Sequence, residues 1–290
     1  MASRGFALGR RGAALALMAP PLAVFVVFFV LPLASLFWVS LHGSSQAQLY
    51  SDELTLANYA TVLTDPFYHT IILRTLGTGG AILGFTLVLG YATAYVIAPL
   101  PPRLRLLLLL LLLVPLMVSN VIRAYGWLAI LGRQGLINSA LRGTGLIDRP
   151  LLLLNSFEAV VVGLMTILLP YMVISIANSL SAIEVQYRDA AQSLRASPLR
   201  TFIHVVWPLS SPGVASGLLL VFLLTLSAYV TITLLGGPRS KLLVSLVFDS
   251  VASFRWPLAA ALSFVLLALA LIVSGVILAV LRPQKVQGRG

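Results

Sequence analysis

The sequence predicts an all-α, polytopic membrane protein, a single transmembrane domain over residues 1–290 with six spanning helices. Three observations carry that prediction. The chain is 59% hydrophobic and 9% charged, with a mean hydropathy of +1.02, whereas soluble domains carry about a quarter charged residues. Six apolar runs are each long enough to cross a hydrocarbon core of about 30 Å. Basic residues, finally, concentrate in the loops on one side of those runs, as the positive-inside rule requires of a helical membrane protein.

The first run covers about 13–41, after a start that carries Arg4, Arg10 and Arg11. A signal peptide has the same basic start but a shorter apolar core and a small-residue cleavage site; this run reads as an uncleaved first span. A polar stretch from His42 to His69 follows. The second span covers about 71–98, and its Gly77, Gly79, Gly80, Gly84 and Gly90 permit close helix contact. Pro99, Pro101, Pro102, Arg103 and Arg105 make a tight basic turn into the third span, about 104–131. Its first half is nearly all Leu, suited to lipid; its second half carries Pro115, Ser119, Asn120, Arg123, Tyr125 and Trp127. In the loop from Gly132 to Ser156, Leu136–Leu141 predicts a short interfacial helix. The fourth span covers about 157–177, the fifth about 213–235 and the sixth about 257–281, with a mixed stretch from Lys241 to Trp256 that reads as a re-entrant or short helical piece.

An even number of spans puts both termini on one side. With the termini inside, inner segments hold eleven of the nineteen basic residues against two acids, Glu184 and Asp189; the outer side and span ends hold eight against six. The imbalance places both termini in the cytoplasm. The net charge of +11 therefore reports loops beside anionic lipid headgroups rather than a nucleic-acid partner.

The inner segment from Glu184 to Pro212 has its own helical pattern. Ile183, Tyr187, Ala191 and Leu194 recur at helical spacing, and Leu199, Phe202, Ile203 and Val206 repeat it. Between them, Pro198 disfavours α geometry at Ser197, Ser197 suits an N-cap, and Pro suits the first helical position. The expectation is a helix, a bend and a second short helix closed by Pro208 and Pro212. The segment resembles the EAA motif of ABC importer permeases: Glu-Ala-Ala, three residues, Gly, nine residues, Ile-x-Leu-Pro. Asp189, Ala190 and Ala191 take the first three places, Arg195 stands where the family has Gly, and Val205, Trp207 and Pro208 end the motif with every spacing kept. The resemblance implies a coupling helix between spans four and five, a cytoplasmic knob seated in an ATPase subunit, with Asp189, Ala190, Ala191, Arg195, Ser197, Pro198 and Pro208 as its residues. Because Arg is strained at φ > 0 and Gly is not, Arg195 is expected to remain helical or extended, with its guanidinium at a carboxylate of the ATPase or a lipid phosphate.

Further stretches resemble the spermidine/putrescine-type permeases: Ile122–Trp127, Leu131–Ser139, Leu169–Val173 and Leu234–Gly237. The resemblance runs from about residue 13 to 281. It implies a permease subunit of a bacterial inner-membrane importer of a small organic solute, polyamine-type first. The partners it implies are an ABC ATPase dimer, a second permease subunit and an extracytoplasmic solute-binding protein, with ATP and Mg held by the ATPase; Arg195 in place of the family's Gly points to a second permease that is a different chain. The residues agree that energy comes from elsewhere. A P-loop needs Gly-x4-Gly-Lys-Ser/Thr, and neither lysine, Lys241 or Lys285, follows a Gly. No His-Glu-x-x-His or Gly-x-Ser-x-Gly occurs, no cysteine is present, and His42, His69 and His204 are scattered. A secondary transporter or channel is the alternative class, for which inverted repeats would be the sign; the halves show no convincing self-similarity. A membrane-embedded enzyme lacks an acid–base or metal cluster in the spans.

For the substrate pathway the expectation is Asn120, Arg123 and Trp127, which share one helical face, opposite Tyr229, Thr231 and Thr233. At ~1.5 Å per residue Arg123 would lie roughly 12 Å below the outer end of span three, where a charge faces a protein interior or pathway, unless it snorkels to headgroups or pairs with Glu158. A polycation should meet carboxylates, of which the spans offer almost none, so an anionic or zwitterionic solute (an amino-acid derivative, opine or phosphonate) stands as the alternative.

Overall fold

The structure, a computed structural model, describes residues 10–45 and 49–281; Arg4, Arg282, Lys285 and Arg289 lie outside them. Helix α1 (Arg10–Phe25) passes through a π turn at Val26–Val30 into α2 (Leu31–Ser40). Then come α3 (Ala57–Thr64), α4 (Pro66–Ile97), α5 (Pro102–Leu113) with a 3-10 turn at Val114–Met117, α6 (Asn120–Leu131), α7 (Leu136–Gly143) and α8 (Phe157–Ser181). Helices α9 (Val185–Ser193) and α10 (Pro198–Thr201) and a second π turn at Phe202–Val206 lead into α11 (Trp207–Leu226). The chain ends with α12 (Tyr229–Gly236), a 3-10 turn at Pro238–Ser240, α13 (Leu243–Ala252) and α14 (Trp256–Val280). Among the described residues the only β feature is an isolated bridge between His42 and Leu54.

Among the described residues five helices are long and apolar enough to cross a membrane: Leu17–Ser40, Pro66–Ile97, Phe157–Ser181, Pro198–Leu226 and Trp256–Val280. The sixth crossing is a broken one. The expected continuous helix over 104–131 divides at Val118 and Ser119, and Pro102–Met117 meets Asn120–Gly143 at 89°. Pro115 lacks an N–H and crowds the preceding turn. Val118 turns extended (φ −84°, ψ 134°), and Ser119 starts α6 afresh by accepting from Val121 N at 3.3 Å. The rise along α6 is therefore not a depth along α5, and the 12 Å estimate for Arg123 lapses.

The fifth span also departs from expectation. Pro208 and Pro212 do not close a loop helix; they lie inside a helix that runs from Pro198 into the span. Each π turn ends two residues before a proline: Leu31 N–H bonds Val26 O ahead of Pro32, and Trp207 N–H bonds Phe202 O ahead of Pro208. The wider turn relieves the contact between the proline ring and the carbonyl four residues back, so the helix continues where an α turn would kink. The span ends earlier than 235, at Ser227–Ala228. Ala228 (φ −80°, ψ 47°) forms an inverse γ-turn, with Tyr229 N–H donating to Ser227 O at 2.9 Å.

Helix α8 is the centre of the bundle, buried by α4, α11 and α12. Small residues set the approach. A Cβ on Gly213 would lie 2.4 Å from Ser179 Cβ and 2.6 Å from the Ser175 carbonyl oxygen, and one on Gly90 would lie 2.7 Å from Met172 Cγ. Of the other glycines of span two, Gly79 meets Phe222, whereas Gly77, Gly80 and Gly84 face open space. A second cluster, Val62, Ile71, Leu243, Leu246, Leu258 and Leu262, joins α3, α4, α13 and α14. Leu243 N–H donates to Thr75 Oγ1 at 2.9 Å, which fixes the start of α13 to α4.

Candidate functional site

The two helix breaks face one another across a cavity of about 410 Å³. From α6 come Asn120 and Arg123, from α8 Leu164, Ile167, Leu168 and Tyr171, from the α11–α12 break Ser227 and Ala228, from α12 Tyr229 and Thr231, and from α13 Phe248. Breaking a span frees backbone and polar side chains that a continuous apolar helix would point at lipid, which is tolerated where they line a cavity. The Tyr229 and Phe248 rings stack with centroids 4.0 Å apart and planes 13° from parallel.

Arg123 Nη2 donates to Asn120 Oδ1 one turn earlier, not to Glu158. Its Nε is buried with no hydrogen-bond partner. Four of the six expected pathway residues thus meet at one cavity: Asn120, Arg123, Tyr229 and Thr231. Trp127 instead donates its indole N–H to Thr166 Oγ1 at 3.1 Å, and Thr233 lines a separate pocket beside Lys241 and Asp249. Sequence reasoning missed Tyr171, Ser227 and Phe248. Tyr171 follows Pro170 and carried a signal; Ser227 and Phe248 carried none, because no Gly or Pro marks the break. None of the described residues that line the cavity is acidic.

At the other end of α11 lies the segment with the repeated helical pattern. Ser197 caps α10 as expected, accepting from Arg200 N at 3.4 Å, with Pro198 in the first helical position. Arg195 does not behave as expected: its φ is +54°, the left-handed conformation that glycine adopts freely. It is the residue at which α9 terminates. Ala196 N–H bonds Ala191 O at 3.1 Å, the six-to-one bond of a Schellman cap, with Arg195 in its left-handed place. Arg thus keeps the backbone of the glycine it replaces. Tyr187, Leu194, Leu199 and Ile203 are exposed, Leu194 by 84% and Leu199 by 67%, so the chain itself does not cover this apolar face. The root of α11 is anchored: Phe202 and Trp207 pack on Tyr91 at 5.6 and 5.4 Å between centroids, and Tyr91 Oη shares a 2.8 Å hydrogen bond with Ser210 Oγ.

A bundle of apolar helices, broken where polar side chains gather around an internal cavity, is the architecture of a membrane transport subunit. The family model of the binding-protein-dependent transport system inner membrane component matches residues 87–286, and the chain belongs to that family. It is 36% identical over 242 residues to the spermidine/putrescine transport system permease protein PotB of Escherichia coli (strain K12), covering 83% of this chain and 88% of that protein. It is 35% identical to PotB of Salmonella typhimurium (strain LT2), covering 83% and 84%. A solved bacterial ABC transporter involved in import of the acidic polysaccharide alginate shares the fold, with a TM-score of 0.74 at 17% identity over 95% of this chain and 97% of that one. The protein is therefore the transmembrane permease subunit of an ABC importer, a multi-pass inner-membrane protein whose work is transport rather than bond chemistry.

Proposed function

We propose that this permease carries a polyamine-type solute, and that it works beside a different second permease, an ATPase dimer that holds ATP and Mg, and an extracytoplasmic binding protein. The observation that carries the substrate is the 36% identity to a spermidine/putrescine permease over 83% of the chain. Residues 189–208 contact the ATPase from the cytoplasmic side, with both termini on that side. Three features support this: the exposed apolar side chains of the segment, its basic setting, and its rigid continuity with α11. In this reading ATP closes the ATPase dimer, the paired segments move together, and the spans open outward to receive solute from the binding protein. Hydrolysis restores the inward state. Asn120, Arg123, Tyr229 and Thr231 line the solute's path.

Arg123 favours a second reading, an anionic or zwitterionic solute: the cavity offers a guanidinium and, among its described lining residues, no carboxylate. Calorimetry of the cognate binding protein against spermidine, putrescine, amino-acid conjugates and phosphonates separates the two. Spermidine binding is the expected outcome. Tight binding of an anion with no response to polyamines replaces the first reading by the second, with loss of uptake in Arg123→Ala as its companion.

A further inference from the structure

Between α12 and α13 lies a second pocket of about 180 Å³, lined by Thr233, Gly237, Pro238, Lys241, Ser245 and Asp249. Lys241 Nζ sits 2.6 Å from Asp249 Oδ2, and both side chains are partly exposed, by 41% and 39%. A pair that open to solvent contributes little to stability. Ser245 is 3% exposed, and its Oγ is buried without a hydrogen-bond partner. Thr201 Oγ1 shares that state, whereas the buried hydroxyls of Thr75, Thr86 and Thr225 all donate to the carbonyl four residues back. A buried hydroxyl left unpaired in a pocket that also holds a carboxylate leaves lone pairs open to a further donor.

The pocket adjoins the larger cavity through the same two helices. Tyr229 and Thr231 of α12 line the cavity and Thr233 lines the pocket; on α13, Phe248 lines the cavity and Asp249 the pocket. The stacked Tyr229–Phe248 pair thus presents an apolar, π-rich surface on the same two helices that carry Thr233 and the Asp249 carboxylate. An ammonium has three donors and no acceptor; Asp249, Ser245 and Thr233 carry four side-chain oxygens between them.

We propose, resting on the polyamine reading, that Asp249 with Ser245 and Thr233 forms a transient site for a primary ammonium terminus of the solute, and that Lys241 Nζ is the internal cation that neutralises its carboxylate in the solute's absence, leaving the Ser245 hydroxyl free. Exchanging one ammonium for another leaves the local charge unchanged, so the carboxylate is never left bare. The solute's methylene chain lies along the aromatic stack, where cation–π attraction assists its amines. Arg123 in the larger cavity repels a second terminus and keeps the solute from settling there.

The test is uptake of labelled spermidine by proteoliposomes holding the complete transporter, supplied with purified binding protein. No uptake by the wild type overturns the polyamine reading itself. Given wild-type uptake, Asp249→Asn should lower it by about tenfold or more, the loss of a charge-assisted hydrogen bond. The charge swap Lys241→Asp/Asp249→Lys rebuilds the ion pair and should stay as defective as Asp249→Asn. Lys241→Met should lower the half-saturating concentration of spermidine-loaded binding protein by about threefold, by removing a competitor. Wild-type uptake in Asp249→Asn or in the swap overturns the ammonium site, because the pair would then be only structural. An unchanged or raised half-saturating concentration in Lys241→Met overturns the competing role of Lys241; should Asp249→Asn and the swap both fail to assemble, loss of uptake in Lys241→Met overturns the whole site.

Discussion

At residue scale, Arg195 shows how a motif can lose its letter and keep its geometry. The left-handed place after α9 is occupied by Arg at φ +54°, a conformation that costs a residue with a Cβ roughly 1–2 kcal/mol. The flanking bond from Ala196 N–H to Ala191 O is intact, so the cap persists against that cost. Replacing Arg195 by Gly removes the strain while loosening the unfolded chain, with a net gain of about 1 kcal/mol. The expected outcome is slower hydrogen exchange at the Ala196 amide, by about fivefold, together with weaker coupling if the guanidinium meets an acidic group of the ATPase. Unchanged or faster exchange would show that the cap does not rest on this backbone. Asn155 and Phe254 take the same conformation, at φ 58° each. Phe254 does so at another Schellman cap, where Arg255 N–H bonds Ser250 O at 2.9 Å. In none of these three places could composition have revealed it, since the usual signal, a glycine, is missing.

At the scale of elements, the proposed lever is a helix cap, a bend and a π turn joined to one long span. Force on α9 reaches α11 because the joint is stiff: Phe202 and Trp207 are held in the aromatic cluster with Tyr91, and Gly213 lets α11 lie against the backbone of α8 at Ser175. Ala191 is half-buried and gives its carbonyl to the cap, and with the exposed Ala190 it keeps the outer face of α9 low. Ala191→Trp puts a bulky ring on the face proposed to meet the ATPase. It should leave the complex assembled and lower solute-stimulated ATP hydrolysis by about tenfold or more, on the scale of a lost interface anchor; full stimulation in an assembled Ala191→Trp complex would mean that this face is not the contact. Much of this element was legible. Ser197, Pro198 and the two apolar stripes announced a helix, a bend and a restart. The continuation through Pro208 was not, because proline ordinarily reads as a stop and a π turn leaves no mark in composition. The broken third span was half legible: Pro115 and the change from leucines to Ser119, Asn120 and Arg123 were visible, but a run of apolar residues reads as one helix unless something in it must turn. At Ser227–Ala228 nothing in the residue types had to turn.

At the scale of the molecule, the charge distribution argues for the partner. A homodimer has twofold symmetry, so whatever this chain places near the axis appears twice. Two copies would bring two Arg123 side chains to a shared path whose described lining from each copy contains no acid. Like charges a few ångströms apart in a site of low dielectric repel by several kcal/mol, of the order given by about 332/(εr) with ε near 20. A different second permease removes that penalty, since it can set a carboxylate or a neutral surface opposite Arg123. The first span fits an assembly of that kind: over Leu17–Ser40 it is apolar, and none of its most apolar window is buried by its own chain, so its surface is left to lipid or to the second permease. Expressed with the ATPase alone, this chain should therefore give no stable transporter. Co-expression with a second permease from the same importer should give a complex with one copy of each, readable by native mass spectrometry. A purified, transport-competent complex built on two copies of this chain would sink the heterodimer.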